Sequence, residues 1–149
     1  LFKGIAHRTL PLIGSGQTWT HWIYVQDLVN AYLLAATVER ARGQIYLIAG
    51  QRPVKMSEVF RTIADIAGVK LLPFRVPAWP IQMAGSLVEA ICRPLGIEPP
   101  LHRRRVDFFV KNRCFDTSKA QSELGFKPAH AFEEEARIVY TWYRNNNWL

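Results

Sequence analysis

The residues whose types and spacing could do chemistry are a Gly-x-Gly turn, four histidines, two cysteines and one arginine cluster. Gly14-Ser15-Gly16 follows the apolar pair Leu12-Ile13. A Gly-x-Gly behind a strand holds a dinucleotide pyrophosphate only when a helix opens next, because the phosphate needs the free amides and dipole of a helix N-terminus. Here Trp19 occupies the third glycine position, and Trp19 to Val25 is aromatic and β-branched, which predicts a strand. The loop is therefore expected to be a turn between strands, with no cofactor-binding residue in it. His7, His21, His102 and His130 are dispersed, with no further ligand at metal spacing, so no metal site is expected. Cys92 and Cys114 lie in different segments without a close Cys or His partner. That is neither a zinc pattern nor a disulfide framework, and it points to a reducing, cytoplasmic setting. Arg103-Arg104-Arg105 is the tight cationic cluster. A guanidinium fork suits phosphate or carboxylate, which makes Arg103 and Arg104 candidates for the rim of an anionic-ligand site.

These residues must be positioned by the elements around them. Leu1 to Arg8 reads as the end of a helix, and Thr9 to Ile13 as a short apolar run before the glycine turn. Asp27 is placed to cap a helix in which Leu28, Ala31, Tyr32, Leu34 and Ala35 recur at helical spacing. Gly43 closes that unit, and Gln44 to Ala49 reads as a second strand. Ser57 opens a helix with Val59, Phe60, Ile63, Ile66 and Ala67 on one face and Gly68 as its stop. Leu71 to Val76 is a third strand candidate, followed by a helix from near Trp79 to Leu95. Beyond the Glu98-Pro99-Pro100 break come a short basic helix, His102 to Lys111, and a very short strand at Cys114-Phe115. Asp116 or Thr117 caps a helix through Leu124, stopped by Gly125, and an amphipathic helix from Ala131 to near Asn145 follows. The expected fold class is α/β: one small mixed domain over residues 1–149, with short strands separated by about six helices.

Hydrophobic residues make up 49% and charged residues 21%, a globular balance that supports one core. The net charge of +7 raises nucleic acid as a partner. The cations are scattered, however, and no basic stripe with exposed aromatics is present, so no nucleic-acid partner is expected. The most apolar stretch, Val76 to Ile97, carries Gln82, Glu89 and Arg93 besides Pro77, Pro80 and Pro94. A spanning helix needs about 20 apolar residues in a row, so no membrane span is expected, and no signal peptide either.

Three segments, taken together, resemble the extended short-chain dehydrogenase/reductase family in its NAD(P)-dependent epimerase/dehydratase form. The first is Leu12-Ile13-Gly14-Ser15-Gly16 leading into Trp22-Ile23-Tyr24-Val25-Gln26-Asp27 and its helix. The second is Gly43-Gln44-Ile45-Tyr46-Leu47-Ile48-Ala49-Gly50 with Pro53-Val54 and the helix at Ser57-Glu58-Val59. The third is Phe115-Asp116-Thr117-Ser118-Lys119-Ala120, Glu123-Leu124-Gly125-Phe126, Pro128, and the last helix with Trp142-Tyr143. Their order and spacing cover essentially the whole chain and match the family's C-terminal, substrate-binding lobe. The resemblance implies NAD or NADP in an intact protein and a Rossmann half, absent here, that carries the glycine-rich loop and a Tyr-x-x-x-Lys pair. None of Tyr24, Tyr32, Tyr46, Tyr140 and Tyr143 has Lys four residues on, so no catalytic residue is expected, and no cofactor bound to this fragment.

The resemblance also bears on substrate. Family members that act on sugar nucleotides commonly carry an Arg at the start of the second strand, to clasp the diphosphate; that position is Thr20, followed by His21. The departure moves the resemblance toward the 3β-hydroxysteroid dehydrogenase and dihydroflavonol reductase branch, whose substrates are apolar alcohols or ketones. Trp19, Trp22 and Trp79, with Met83 and Leu87, would suit such a pocket, although core packing explains the same residues. The substrate-binding candidates are Leu12, Thr20, His21, Trp22, Trp79, Arg103 and Arg104. The expected partners are a small-molecule substrate and the missing Rossmann half, with self-association of the fragment through the face that half would cover. The alternative is a stand-alone ligand- or protein-binding domain derived from the same fold.

Overall fold

The computed structural model describes residues 1–83 and 103–149, the side chains of 103–106 excepted. Helix α1 (Phe2–Ala6) precedes β1 (Leu12–Ile13) and β2 (Trp19–Thr20), and α2 (Val25–Thr37) runs on to a short 3-10 turn at Glu39–Ala41. Strand β3 (Val54–Lys55) passes directly into α3 (Met56–Ala67), and β4 (Arg75–Val76) precedes helical residues 78–83. Helix α4 (Arg103–Val110), a π turn at Ala120–Leu124 and α5 (Phe132–Asn145) complete the described elements. The mixed α/β expectation holds.

Helix α3 organises the first core. Met56, Val59, Phe60, Ile63 and Ala64 are buried, an i, i+3, i+4, i+7, i+8 stripe that gives the helix one apolar face. That face meets Ile5 and Val54, with Trp22, Phe108, Phe109 and Phe132 packed around it. Gly68 ends the helix in the left-handed region at φ 68°, and Val69 N–H donates to Ala64 O at 3.0 Å, a glycine-terminated helix end. A second core joins Ala31, Ala41, Ala120, Leu124 and Phe126, flanked by Ile23, Leu34, Tyr46 and Ile48.

The strands form two separate pairs. Strand β1 lies parallel to β4, with Leu12 opposite Arg75 and Ile13 opposite Val76. Strand β2 lies antiparallel to β3, with Trp19 opposite Lys55 and Thr20 opposite Val54. The Gly14–Gly16 turn hands the chain from one pair to the other, with both glycines at positive φ (74° and 72°). Gly14 N–H donates to Val76 O, and Gly16 O accepts from Ser57 N–H. A strand, not a helix, follows this loop, as its sequence indicates.

Several sequence expectations need correction. The strand from Trp19 to Val25 is only Trp19–Thr20, and Val25 already begins α2. Beyond Thr20 the two segments leave this register: the Trp22 carbonyl accepts from Gly50 N–H rather than from Arg52, its partner in the β2–β3 register. The expected strands at Gln44–Ala49 and Cys114-Phe115 form no ladder among the described residues, and Leu71–Val76 contracts to Arg75–Val76. In residues 44–49 the side-chain alternation is nonetheless that of a strand. Tyr46 and Ile48 turn to the second core, while Ile45 is 84% and Leu47 53% exposed. The helix expected to run from Trp79 to Leu95 is helical over residues 78–83; its remainder, with Leu87, Cys92 and the Glu98-Pro99-Pro100 break, lies outside the described residues.

Candidate functional site

The stretch from Thr20 to Asp27 lies between the two cores, and its polar groups are tied to distant parts of the chain. Trp22 sits at the centre. Its ring meets Phe108 edge-on at 5.8 Å and Phe132 at 6.2 Å. Its carbonyl accepts from Gly50 N–H at 2.8 Å, an approach that leaves no room for a Cβ on residue 50. Its indole Nε1 is buried without a hydrogen-bond partner. Trp22 also lines a mainly apolar cavity of about 270 Å³ between α1, α3, α5 and residues 22–25, whose wall includes Leu1, Val59, Val139 and the carboxyl-bearing Glu135.

Two carboxylates lock this stretch to α5 and to the segment that leads into it. Asp27, buried within α2, accepts from the backbone N–H groups of Ala129 and His130, and from His130 Nδ1, each at 3.1 Å. In the other direction, Glu135 of α5 accepts at Oε1 from Tyr24 N–H at 3.1 Å, at the residue that precedes α2. Backbone donors at helix starts have no partner within their own helix, so side chains from elsewhere can satisfy them. Asp27 was expected to cap its own helix. It lies at the third helical residue instead and holds the segment just ahead of α5. Burial pushes the Glu135 carboxyl up from 4.5 to about 6; the Tyr24 N–H and His130 act downward, and the charges of Asp27 and Glu133 upward.

The expected substrate-binding residues are brought together only in part. Thr20 is buried opposite Val54. His21 is held at both ring nitrogens: Phe115 N–H donates to Nδ1 at 3.3 Å, and Nε2 donates to Gly50 O at 3.0 Å. That arrangement fixes one tautomer of the ring. Leu12 belongs to the other strand pair and lines a different cavity, of about 210 Å³, with Ser57, Arg61 and Arg75. Trp79 is exposed on helical residues 78–83. Arg103 and Arg104 lie on α4, and their side chains are outside the described residues. Sequence reasoning missed Glu135, His130 and Gly50 as parts of this centre. Among the described residues, no group of His, Cys, Asp and Glu is placed to hold a metal, and no helix is long and apolar enough to cross a membrane.

No family model matches the chain. It is 31% identical to dTDP-glucose 4,6-dehydratase of Escherichia coli over 150 aligned residues, which take in all of this chain and 36% of that protein. It is 29% identical to 3beta-hydroxysteroid-dehydrogenase/decarboxylase isoform 1 of Arabidopsis thaliana over 135 residues, 83% of this chain and 31% of the relative. In fold it resembles UDP-glucuronic acid 4-epimerase from Bacillus cereus, solved in complex with NAD, at a TM-score of 0.67 and 15% identity, covering 98% of this chain and 38% of that one. The chain is a relative of the extended short-chain dehydrogenases/reductases of the NAD-dependent epimerase/dehydratase kind. It spans between three tenths and two fifths of the length of these proteins.

Proposed function

We propose that this chain is the substrate-binding part of an NAD(P)-dependent epimerase, dehydratase or reductase, and that the nucleotide and the catalytic Tyr/Lys pair belong to a Rossmann half that docks against it. The observation that carries the reading is one apolar face. Val29, Tyr32 and Leu33 are exposed on one face of α2, where Tyr32 shares a groove with Leu47, and residues 44–49 have strand alternation without a neighbouring strand among the described residues. Such a face lowers its free energy when covered, and an extended segment with strand alternation is suited to pairing with a sheet edge. Uncovered, the same face drives self-association of the chain. In the assembled enzyme the Tyr of the other half would act as general acid/base, and this part would hold the substrate.

The neutral, buried Thr20 favours an apolar alcohol or ketone over a sugar nucleotide, because a hydroxyl cannot pair with a diphosphate as a guanidinium does. Calorimetry of residues 1–149 with NAD and NADP is expected to show no binding in the micromolar range; micromolar affinity would overturn the division of labour. Light scattering is expected to show species larger than a monomer at high concentration. A strict monomer would count against the docking face.

A further inference from the structure

We infer that Glu135 is the anionic partner in a site for a small amine, an ammonium group on a compact apolar body, held in the space between α1, α3 and α5. The inference does not rest on the division of labour proposed above, and the sealed Trp22 indole nitrogen takes no part in it. Three observations carry it. Glu135 is only 6% exposed, yet it stands on the wall of this cavity of about 270 Å³. Its Oε1 accepts from Tyr24 N–H, whereas Oε2 takes no hydrogen bond among the described residues and, unlike the indole nitrogen, keeps accessible surface. Finally, no described lysine or arginine balances this carboxyl. Asp27 of α2 and Glu133 of α5 add like charge, and His130, the basic group that acts on it, is already held by Asp27 Oδ1 at 3.1 Å.

A carboxyl taken out of water without a counter-ion calls for an explanation, and a bound cation supplies one. The geometry selects the kind of cation. One free oxygen suits a single N–H···O contact from an ammonium, whereas a guanidinium fork matches two oxygens. A hard metal ion would want about six oxygen ligands. The rest of the wall is mainly apolar, with Val59, Ile63, Phe132 and Val139, so the body of the ligand is hydrocarbon. There is room for it, since apolar cavities of about 150 Å³ already take a benzene ring. The cavity opens to solvent, which lets the remaining ammonium N–H groups keep water. A carboxylate or phosphate ligand would meet Glu135, Asp27 and Glu133 with like charge.

The test titrates the chain at pH 7.5 with benzylamine and with benzyl alcohol, which match in size and differ in charge. Binding is followed by the Val139 methyl resonances in a ¹H–¹³C spectrum, assigned by their absence in Val139→Ala. Benzylamine should give a saturable shift, with an affinity about tenfold or more above that of the alcohol. Glu135→Gln keeps an oxygen for Tyr24 N–H and loses the charge, so its benzylamine affinity should drop to that of the alcohol while the circular dichroism spectrum is unchanged. The wild type reads the same contact without a substitution. Lowering the pH from 7.5 to 5 protonates a carboxyl held at about 6, so benzylamine affinity should fall about tenfold and that of the alcohol should hardly change. An unsaturable shift, equal affinity for amine and alcohol, undiminished amine binding by a folded Glu135→Gln, or an amine affinity flat from pH 5 to 7.5 overturns the proposal.

Discussion

Replacing Glu135 with glutamine should make the protein more stable at neutral pH and less sensitive to pH. Glu135 is buried on α5 with its carboxyl held at about 6, against 4.5 when unperturbed, mainly because burial disfavours the charge. Between those two values the native state keeps a proton that the unfolded chain has released. Stability therefore falls as pH rises through this window. At about 1.4 kcal/mol per tenfold difference in proton affinity, the ionised carboxyl costs about 2 kcal/mol above pH 7. Glutamine keeps an oxygen to accept from Tyr24 N–H and removes the charge. The difference in unfolding free energy, mutant minus wild type, should be near zero at pH 4 and rise to about 2 kcal/mol by pH 7.5, or roughly 4–8 °C in Tm for a chain of this size. Urea melts at half-unit steps from pH 4 to 8 measure it directly. Taking the difference cancels the other titrating groups. A flat difference across that range, or a mutant less stable at pH 8, would refute the account of a carboxyl forced to ionise in a desolvated place.

Other substitutions test the remaining links. Asp27→Ala removes the acceptor of two backbone N–H groups and of the His130 ring, and should cost about 2–4 kcal/mol in urea melts; a loss under 1 kcal/mol would mean that the approach to α5 holds without it. Gly50→Ala places a Cβ against the Trp22 carbonyl oxygen, so soluble, folded protein should fall sharply, whereas Gly43→Ala meets nothing nearby and should show only the milder strain of its positive φ. Arg52→Ala breaks two ion pairs, to Glu58 at 2.6 Å and Glu133 at 2.8 Å, but Arg52 and Glu133 are exposed to solvent and Glu58 is half-buried. The cost should stay below about 1 kcal/mol and shrink further in high salt.

The legible parts of the sequence were those whose cause is local. The apolar stripe of α3, its glycine stop at Gly68 and the turn at Gly14–Gly16 follow from neighbours within a few residues. The strands were only half legible, because a strand is defined by a partner. Residues 44–49 carry the right alternation, yet the described chain offers no strand beside them. Trp19 to Val25 has strand composition, but after Thr20 its partner segment leaves the register, and Trp22 O accepts from Gly50 instead. Local composition says what a segment is suited to, and the neighbour decides whether it happens.

The same distinction explains why the sequence marks Thr20, His21 and Trp22 of this centre but not Glu135, His130 and Gly50. Asp27 near a helix start reads as a local cap, whereas its acceptors serve residues more than a hundred positions away. No periodicity in the chain encodes that pairing. Glu135 differs, because its signal was present. In the run Glu133-Glu134-Glu135 all three acids suit the positive end of a helix dipole. Helical spacing sorts them: Phe132, Ala136, Val139 and Tyr143 mark the apolar face of α5, and of the three acids only Glu135 falls on it. An acid on the apolar face of an amphipathic helix must be paired, perturbed or both. Here it is both, capping Tyr24 while its proton affinity rises. The polar residues worth marking first in this chain are thus not those at motif spacing, such as Gly14-Ser15-Gly16 or Arg103-Arg104, but those that break the apolar pattern of the helix that carries them.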